Sequence, residues 1–157
     1  VSLSKDINIR FACLCVAIAN GKNVPVPASF TDICSSLKPP KQTQQLALKA
    51  AQHHQTVLSI SQQDAETILS LFDQLDSWRK PEFLTDFLLV RQAKHQALSP
   101  AQPATFAIGD YLTELFQQCR NVNAQPFIEQ GLSGKAIKNA MQAEKLRIIT
   151  NTLFSAG

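Results

Sequence analysis

The chain has 157 residues, about the size of one domain, and 45% of them are hydrophobic, which is enough to bury a core and excludes an intrinsically disordered segment. Its formal net charge is only +3, and this whole excess lies in residues 131–157, which hold four cations and one acid. Most of the chain is therefore electrically balanced, and one end is basic.

The composition favours helices over sheet, because the chain has only five glycines and is rich in Leu, Ala and Gln. No apolar run reaches the roughly 20 residues that a bilayer requires, and no leader of signal type opens the sequence. We therefore expect no membrane partner and a cytoplasmic location. The sequence begins at Val1 without a methionine, so we expect a fragment of a longer chain.

The most apolar stretch is the run from Phe11 to Ala19, in which nine consecutive residues lack a polar side chain. A helix that is apolar on every side is expected to be wrapped by other helices. Asn20 and Gly21 then provide residues that commonly end helices. The pattern predicts an all-α fold, a compact multi-helix bundle built around a central apolar helix from Asp6 to Asn20.

The remaining helices are predicted from apolar residues at three- and four-residue spacing, separated by proline-containing loops. Ser61 and Asp64 resemble a capping box that opens one of them, and Pro81 suits the first turn of the next. The predicted helices are Phe30–Leu37, Lys41–Leu58, Asp64–Trp78, one that begins at Pro81, Ala104–Cys119, and a last one that follows Gly134.

Four cysteines and three histidines show no spacing typical of a zinc site, so the cysteines are interpreted as core thiols. His53 and His54 fall at or beside the buried edge of their helix. For His54 the ordinary interpretation is a packed or half-exposed side chain, and the functional one is a metal ligand.

The basic end carries a possible binding surface. On a helix, Lys135, Lys138 and Lys145 fall within about 80° of one another, and we call these three residues the basic stripe. A cationic stripe of this kind can neutralise phosphates and release counterions, although three lysines on one face are more often an ordinary solvated helix face. Arg147 adds a fourth cation to the same segment.

Several stretches resemble the C-terminal HD domain of the bacterial multifunctional CCA proteins, which are tRNA nucleotidyltransferases. The residues Leu71–Pro81, LFDQLDSWRKP, are similar to the family's Leu-Phe-Asp-x-Ile-Asp-Ala-Trp-Arg-Lys-Pro. The further matching stretches are Ile9–Cys15, Ile33–Pro40 and Glu129–Ile137, in the family's order. The resemblance covers roughly Asp6 to Thr152.

This resemblance implies a parent enzyme that adds cytidine, cytidine and adenosine to tRNA through an N-terminal head, to which Mg²⁺ would belong. Nothing in this sequence resembles that head. HD domains of the family carry metal-dependent phosphohydrolase activities, but the family's His-Asp pair is replaced here by Val16 and Ala17. A later His-Asp aligns with His54 and Gln55, so one histidine remains without its aspartate. The resemblance therefore implies no catalytic residues, no metal site and no cofactor in this segment.

The predicted organisation is a degenerate HD-like helical domain over residues 1–122, with a helical extension over residues 123–157 packed on it as one unit. The predicted function is support of a CCA-adding enzyme through tRNA binding, self-association as a homodimer, or both. Phosphate contact is predicted for Lys135, Lys138, Lys145 and Arg147. The alternative is a structural or protein-interaction domain with no nucleic-acid role.

Overall fold

Helices are the only regular elements in residues 6–18, 28–53, 56–57, 59–60, 63–98 and 107–155, which are the residues that the computed structural model describes. The predicted all-α class is thus confirmed. The helices are α1 Ile7–Ile18, α2 Ala28–Leu37, α3 Lys41–Gln52, α4 Ala65–Gln74, α5 Pro81–Leu98, α6 Ala107–Arg120, α7 Gln125–Glu129 and α8 Lys135–Ser155.

The helix boundaries follow local chemistry. Helix α2 ends at Leu37, as predicted. Lys38 then has a left-handed backbone with φ 44°, and two prolines follow it. Helix α5 begins at Pro81, also as predicted. Helix α4 begins one residue later than expected, because Asp64 is its N-cap and accepts a hydrogen bond from the Thr67 amide at 2.7 Å. Ser61, the other half of the expected capping box, lies outside the described residues.

Helix α1 packs against α3 and α5. Its inner side is fully buried at Ala12 and Val16, and the Thr43 hydroxyl of α3 donates to the side-chain oxygen of Asn8. The outer side differs from the expectation of a wrapped helix, since Ile7 is 78% and Leu14 is 52% exposed. The described helices therefore cover the side of α1 that carries Ala12 and Val16, and they leave the side of Ile7 and Leu14 exposed.

The other end of the bundle is formed by α4, α6 and α8, with α8 packed against both α4 and α6. Ile149 of α8 is fully buried, and the Cys119 thiol of α6 lies 3.8 Å from the Lys145 carbonyl oxygen. The last helix is therefore part of the core. The division of the chain at residues 122 and 123 stays a prediction.

None of the helices in the described ranges combines the length and the apolar content that a membrane span requires.

Burial is the main cause of the raised pKa of the Cys15 and Cys119 thiols, each about 11. These two thiols are therefore protonated at neutral pH and behave as apolar core groups.

Candidate nucleic-acid interface beside the last helix

The turn between α4 and α5 determines where Trp78 lies. Asp76 has a left-handed backbone with φ 56°, and the Ser77 amide donates to the Phe72 carbonyl at 3.1 Å, as in a Schellman helix end. The Asp76 carboxylate accepts from Arg79 Nε at 3.0 Å and from Arg79 Nη2 at 2.5 Å. These bonds reverse the chain sharply and hold Trp78 between α4 and α8.

Three rings form what we call the aromatic cluster: Phe72, Trp78 and Phe116. The Trp78 ring centroid lies 5.8 Å from that of Phe72 in an edge-to-face arrangement and 5.1 Å from that of Phe116. The centroids of Phe72 and Phe116 are 5.3 Å apart. The Trp78 indole N–H donates to Asp73 Oδ1 at 2.5 Å. The two buried phenylalanines support the indole from inside, and the indole itself is half-buried.

Lys145 of α8 covers the outer face of the indole, with its Nζ atom 3.6 Å from the ring centroid. This is a cation–π contact, worth about 0.5–2 kcal/mol depending on its exposure to water. Burial lowers the pKa of Lys145, and the nearby Asp73 and Cys119 partly oppose that change. A cation at this point is therefore held in a fixed position by an aromatic ring.

A groove of about 630 Å³ opens beside Trp78, between α4 and α8, and we call it the Trp78 groove. Its lining combines aliphatic and aromatic side chains with charged side chains and one side-chain amide. The lining residues are Leu69, Asp73, Trp78, Gly134, Ile137, Lys138, Met141, Gln142 and Lys145. Such a combination of apolar surface and a few convergent polar groups is typical of binding sites.

The start of α8 follows from two glycines with left-handed backbones, Gly131 at φ 82° and Gly134 at φ 53°. This agrees with the turn predicted from the sequence, because glycine adopts that conformation without a steric penalty. Helix α8 begins directly after these glycines, and Lys135 is its first residue.

The structure brings part of the predicted site together. Lys138 and Lys145 both line the Trp78 groove, and Lys135 is exposed one turn before Lys138. Lys135 and Lys138 are thus available to a ligand in solution. Lys145 is half-buried and already contacts Trp78, so its charge contributes to the groove from a fixed position.

Arg147 is placed apart from the basic stripe. It lies about 180° around the helix from Lys138 and forms a two-pronged ion pair with Glu144, with nitrogen–oxygen distances of 2.5 and 2.8 Å. The hydrogen bonds from Arg147 lower the pKa of Glu144, and the pKa of Arg147 is raised in return. A ligand that occupies the Trp78 groove would not contact Arg147.

The histidine predicted as a remnant, His54, lies outside the described residues. Its neighbour His53 is half-buried, and its pKa is lowered first by burial and then by Lys49. Val16 is fully buried, and the exposed Ala17 follows it; neither side chain has an atom that could coordinate a metal. Within the described ranges, no group of three His, Cys, Asp or Glu residues is arranged to hold a metal ion.

The sequence analysis did not identify Trp78, Asp73 or the apolar residues Ile137 and Met141 as parts of the site. In the sequence analysis Trp78 is only the last residue of a predicted helix, and Ile137 is only the last residue of a stretch that resembles the family. One signal was available: Trp78 is the only tryptophan and lies at the end of a predicted helix, next to Arg79 and Lys80. Only the fold shows that it meets Lys145.

No family model matches this chain, and no solved structure gives a significant match.

Proposed function

We propose that this chain is a non-hydrolytic, degenerate HD-like domain that helps a CCA-adding tRNA nucleotidyltransferase, or a close relative, to hold tRNA in the cytoplasm. The contact is made by Lys135 and Lys138 together with the Trp78 groove. Lys145 contributes charge from its position over Trp78, and Arg147 is left out of the contact because Glu144 neutralises it. The observation that carries the proposal is the convergence of Lys138, Lys145 and Trp78 on one groove.

The charges around the groove support a polyanionic partner. Among its lining residues Asp73 is the one acid, and an oxygen of that carboxylate already accepts the Trp78 N–H. The two lysines in the lining therefore give the groove a positive charge, to which Lys135 adds. Phosphates would be recognised without regard to base sequence, which suits an enzyme that must accept many tRNAs.

The groove also offers apolar surface, which phosphate contact alone does not use. Leu69, Ile137 and Met141 can pack against a ribose or the face of an unpaired base. Lysines at the rim and apolar residues in the lining fit a nucleic-acid backbone with at least one exposed base. This arrangement supports single-stranded or looped tRNA segments as the part that enters the groove.

We propose no hydrolysis by this domain, because the residues that replace the family's His-Asp pair have no metal-binding atoms in their side chains. A divalent ion would need imidazole or carboxylate ligands, and Val16 and Ala17 supply neither. Assays of cyclic nucleotides and phosphate esters with added nickel, manganese or magnesium test this point. Turnover with any of the three metals would contradict it.

The binding proposal is tested by titrating labelled total tRNA with the purified chain across a salt series. The test variant is Lys135→Ala with Lys138→Ala, and the charge-matched control is Arg10→Ala with Lys41→Ala, two exposed cations on α1 and α3. We expect the salt slope of log K to fall by about two units in the test variant and to stay unchanged in the control. Equal slopes in both variants would contradict the proposal.

The alternative is a protein-interaction domain, and the specific observation in its favour is the outer side of α1. Ile7 and Leu14 lie seven residues apart on one face of that helix, and both are exposed. A second copy of the chain could cover them. Measurement of the mass in solution for wild type and Leu14→Lys separates the two: a wild-type dimer that the substitution dissociates favours this alternative.

A further inference from the structure

The Trp78 groove follows one face of α8. Its lining residues on α8 and at the glycine before it recur at helical spacing, three and four residues apart: Gly134, Ile137, Lys138, Met141, Gln142 and Lys145. Each helical residue advances about 1.5 Å along the axis, so the groove follows α8 for about 12 Å from Ile137 to Lys145. Gly134 extends it to about 16 Å. The groove is therefore elongated, with α8 as one wall.

The groove is also narrow. Spread over about 12–16 Å, its volume of about 630 Å³ corresponds to a mean cross-section of roughly 40–50 Å², or about 6–7 Å across. A helix of a partner protein is about 10–12 Å in diameter with its side chains. The groove is thus too narrow for a helix to lie within it, and it is wide enough for a single chain.

The α8 wall of the groove is divided lengthwise by chemistry. Lys138 and Lys145 lie within about 20° of each other around the helix axis. Ile137 and Met141, which we call the apolar strip, are centred about 70° away from them. All four residues line the groove. A ligand that lies along α8 therefore meets cations on one side and apolar surface on the other.

Trp78 does not provide a free surface on which a base could stack. Lys145 covers the outer face of the indole, with Nζ 3.6 Å from the ring centroid. The Phe116 ring packs against the indole with a centroid distance of 5.1 Å and 33° between the ring planes. The indole N–H is donated to Asp73. A base that enters the groove is therefore expected to lie on the apolar strip, while Trp78 holds the Lys145 ammonium in place.

An extended acidic peptide would also be narrow enough, but the groove offers little to a peptide backbone. Peptides that bind in an extended form commonly pair with the edge of a sheet. The walls of this groove are helices, whose backbone N–H and C=O groups are bonded within each helix over most of its length. A phosphodiester chain requires no such pairing, because lysines meet its charges directly. The walls therefore favour a nucleic-acid strand.

We propose that the Trp78 groove binds one unpaired nucleic-acid strand of about three to five nucleotides, with its phosphates on Lys138 and Lys145 and its bases on the apolar strip. The length follows from the advance of about 3.4 Å per stacked nucleotide over a groove of about 12–16 Å. A duplex is excluded, because its paired bases cannot lie on the apolar strip. This inference rests on the proposed tRNA contact and deepens it: the ligand is a short single strand of any sequence.

Fluorescence anisotropy with labelled oligouridines of about two to twelve nucleotides tests the length of the site. The affinity should rise steeply up to about five nucleotides and then rise only as longer strands offer more overlapping registers. An RNA duplex of about twelve base pairs should bind at least about 10-fold more weakly than the single strand of that length. Oligoglutamate of matched charge, used as a competitor, should also bind at least about 10-fold more weakly.

A substitution in the apolar strip tests where the bases lie. Ile137→Ser should weaken binding of the longest oligouridine about 5-fold and leave the salt slope unchanged, because an apolar contact releases no counterions. The matched control is Ile128→Ser, at a 50% exposed isoleucine of α7 that is not part of the groove lining, and it should bind as wild type does. If Ile137→Ser does not fold, Met141→Ser replaces it.

The outcomes separate this inference from the proposed function. An affinity that keeps rising steeply beyond about five nucleotides, equal or tighter binding of the duplex or of oligoglutamate, or unchanged binding by Ile137→Ser would overturn the inference. Binding of tRNA whose salt slope falls in Lys135→Ala with Lys138→Ala would then leave the proposed function standing. Failure of both tRNA and oligouridine to bind would contradict the proposed function and this inference together.

Discussion

The two ends of the bundle bury their helices with different side chains. On α1 and α3 the buried residues are mostly aliphatic, and three of them are alanines, Ala12, Ala47 and Ala50, which are fully buried. Around α4, α6 and α8 the contact is made by the aromatic cluster. On the far side of α1, Ile7 and Leu14 stay exposed. At the aromatic end, the Trp78 groove lies beside the half-buried indole.

The same comparison holds for charge. At the aromatic end the cations lie on the surface of α8 and converge on Trp78, where a polyanion can reach them. Arg91 of α5, by contrast, is a buried cation and is only 2% exposed. The cations of the chain therefore differ in how far solvent reaches them, and the variants below compare the two ends of the bundle.

The largest effect is expected at the centre of the aromatic cluster. Phe116→Ala should destabilise the chain by about 3–5 kcal/mol, because it removes a buried ring that contacts both Phe72 and Trp78 and leaves a cavity. Urea unfolding measures the change in the free energy of unfolding. A loss below about 1 kcal/mol would mean that the rings are not packed as described.

A smaller effect is expected for the pair of Lys145 and Trp78. A double-mutant cycle with Lys145→Met and Trp78→Leu should give a coupling energy of about 0.5–2 kcal/mol, because the ammonium lies over the ring. The matched cycle with Lys138→Met, a lysine that lines the groove without stacking on the indole, should give a value near zero. Equal couplings in the two cycles would show that the attraction is general and not specific to Lys145.

At the other end of the bundle, Leu14→Ala should cost less than about 1 kcal/mol, because Leu14 is half-exposed. The control is Leu71→Ala, at a buried leucine of α4, which should cost about 2–5 kcal/mol. Both values come from the same urea experiment. A large loss for Leu14→Ala that depends on protein concentration would instead indicate that a second copy covers α1.

The smallest effect is a pH dependence at the start of α4. The hydrogen bond from the Thr67 amide lowers the pKa of Asp64 below its ordinary 3.8, so its contribution to stability is present above that pH and is lost as the pH falls through the lowered value. Asp64→Asn should keep the cap but remove this dependence, and Asp64→Ala should lose both. Thermal unfolding between acidic and neutral pH compares the three proteins; identical profiles would contradict the cap.

Much of the fold could be predicted from the sequence, because it depends on local chemistry. Proline placed the start of α5, and the glycines before Lys135 placed the turn into α8. The exposure of Leu14 could not be predicted, because an apolar helix does not reveal how many neighbours cover it. The site was predicted in part: the helical spacing of Lys138 and Lys145 was visible, but their meeting with Trp78 depends on the packing of α8 against α4.

The measurement that tests the central claim most directly is the fluorescence of Trp78 during titration with tRNA. Trp78 is the only tryptophan in the chain and lines the proposed groove, so its emission reports on that site alone. We predict a saturable change in emission whose midpoint rises with salt and rises further in Lys135→Ala with Lys138→Ala, with free tryptophan as the control for absorption by tRNA. Binding of labelled tRNA that leaves the emission of Trp78 unchanged would contradict the account.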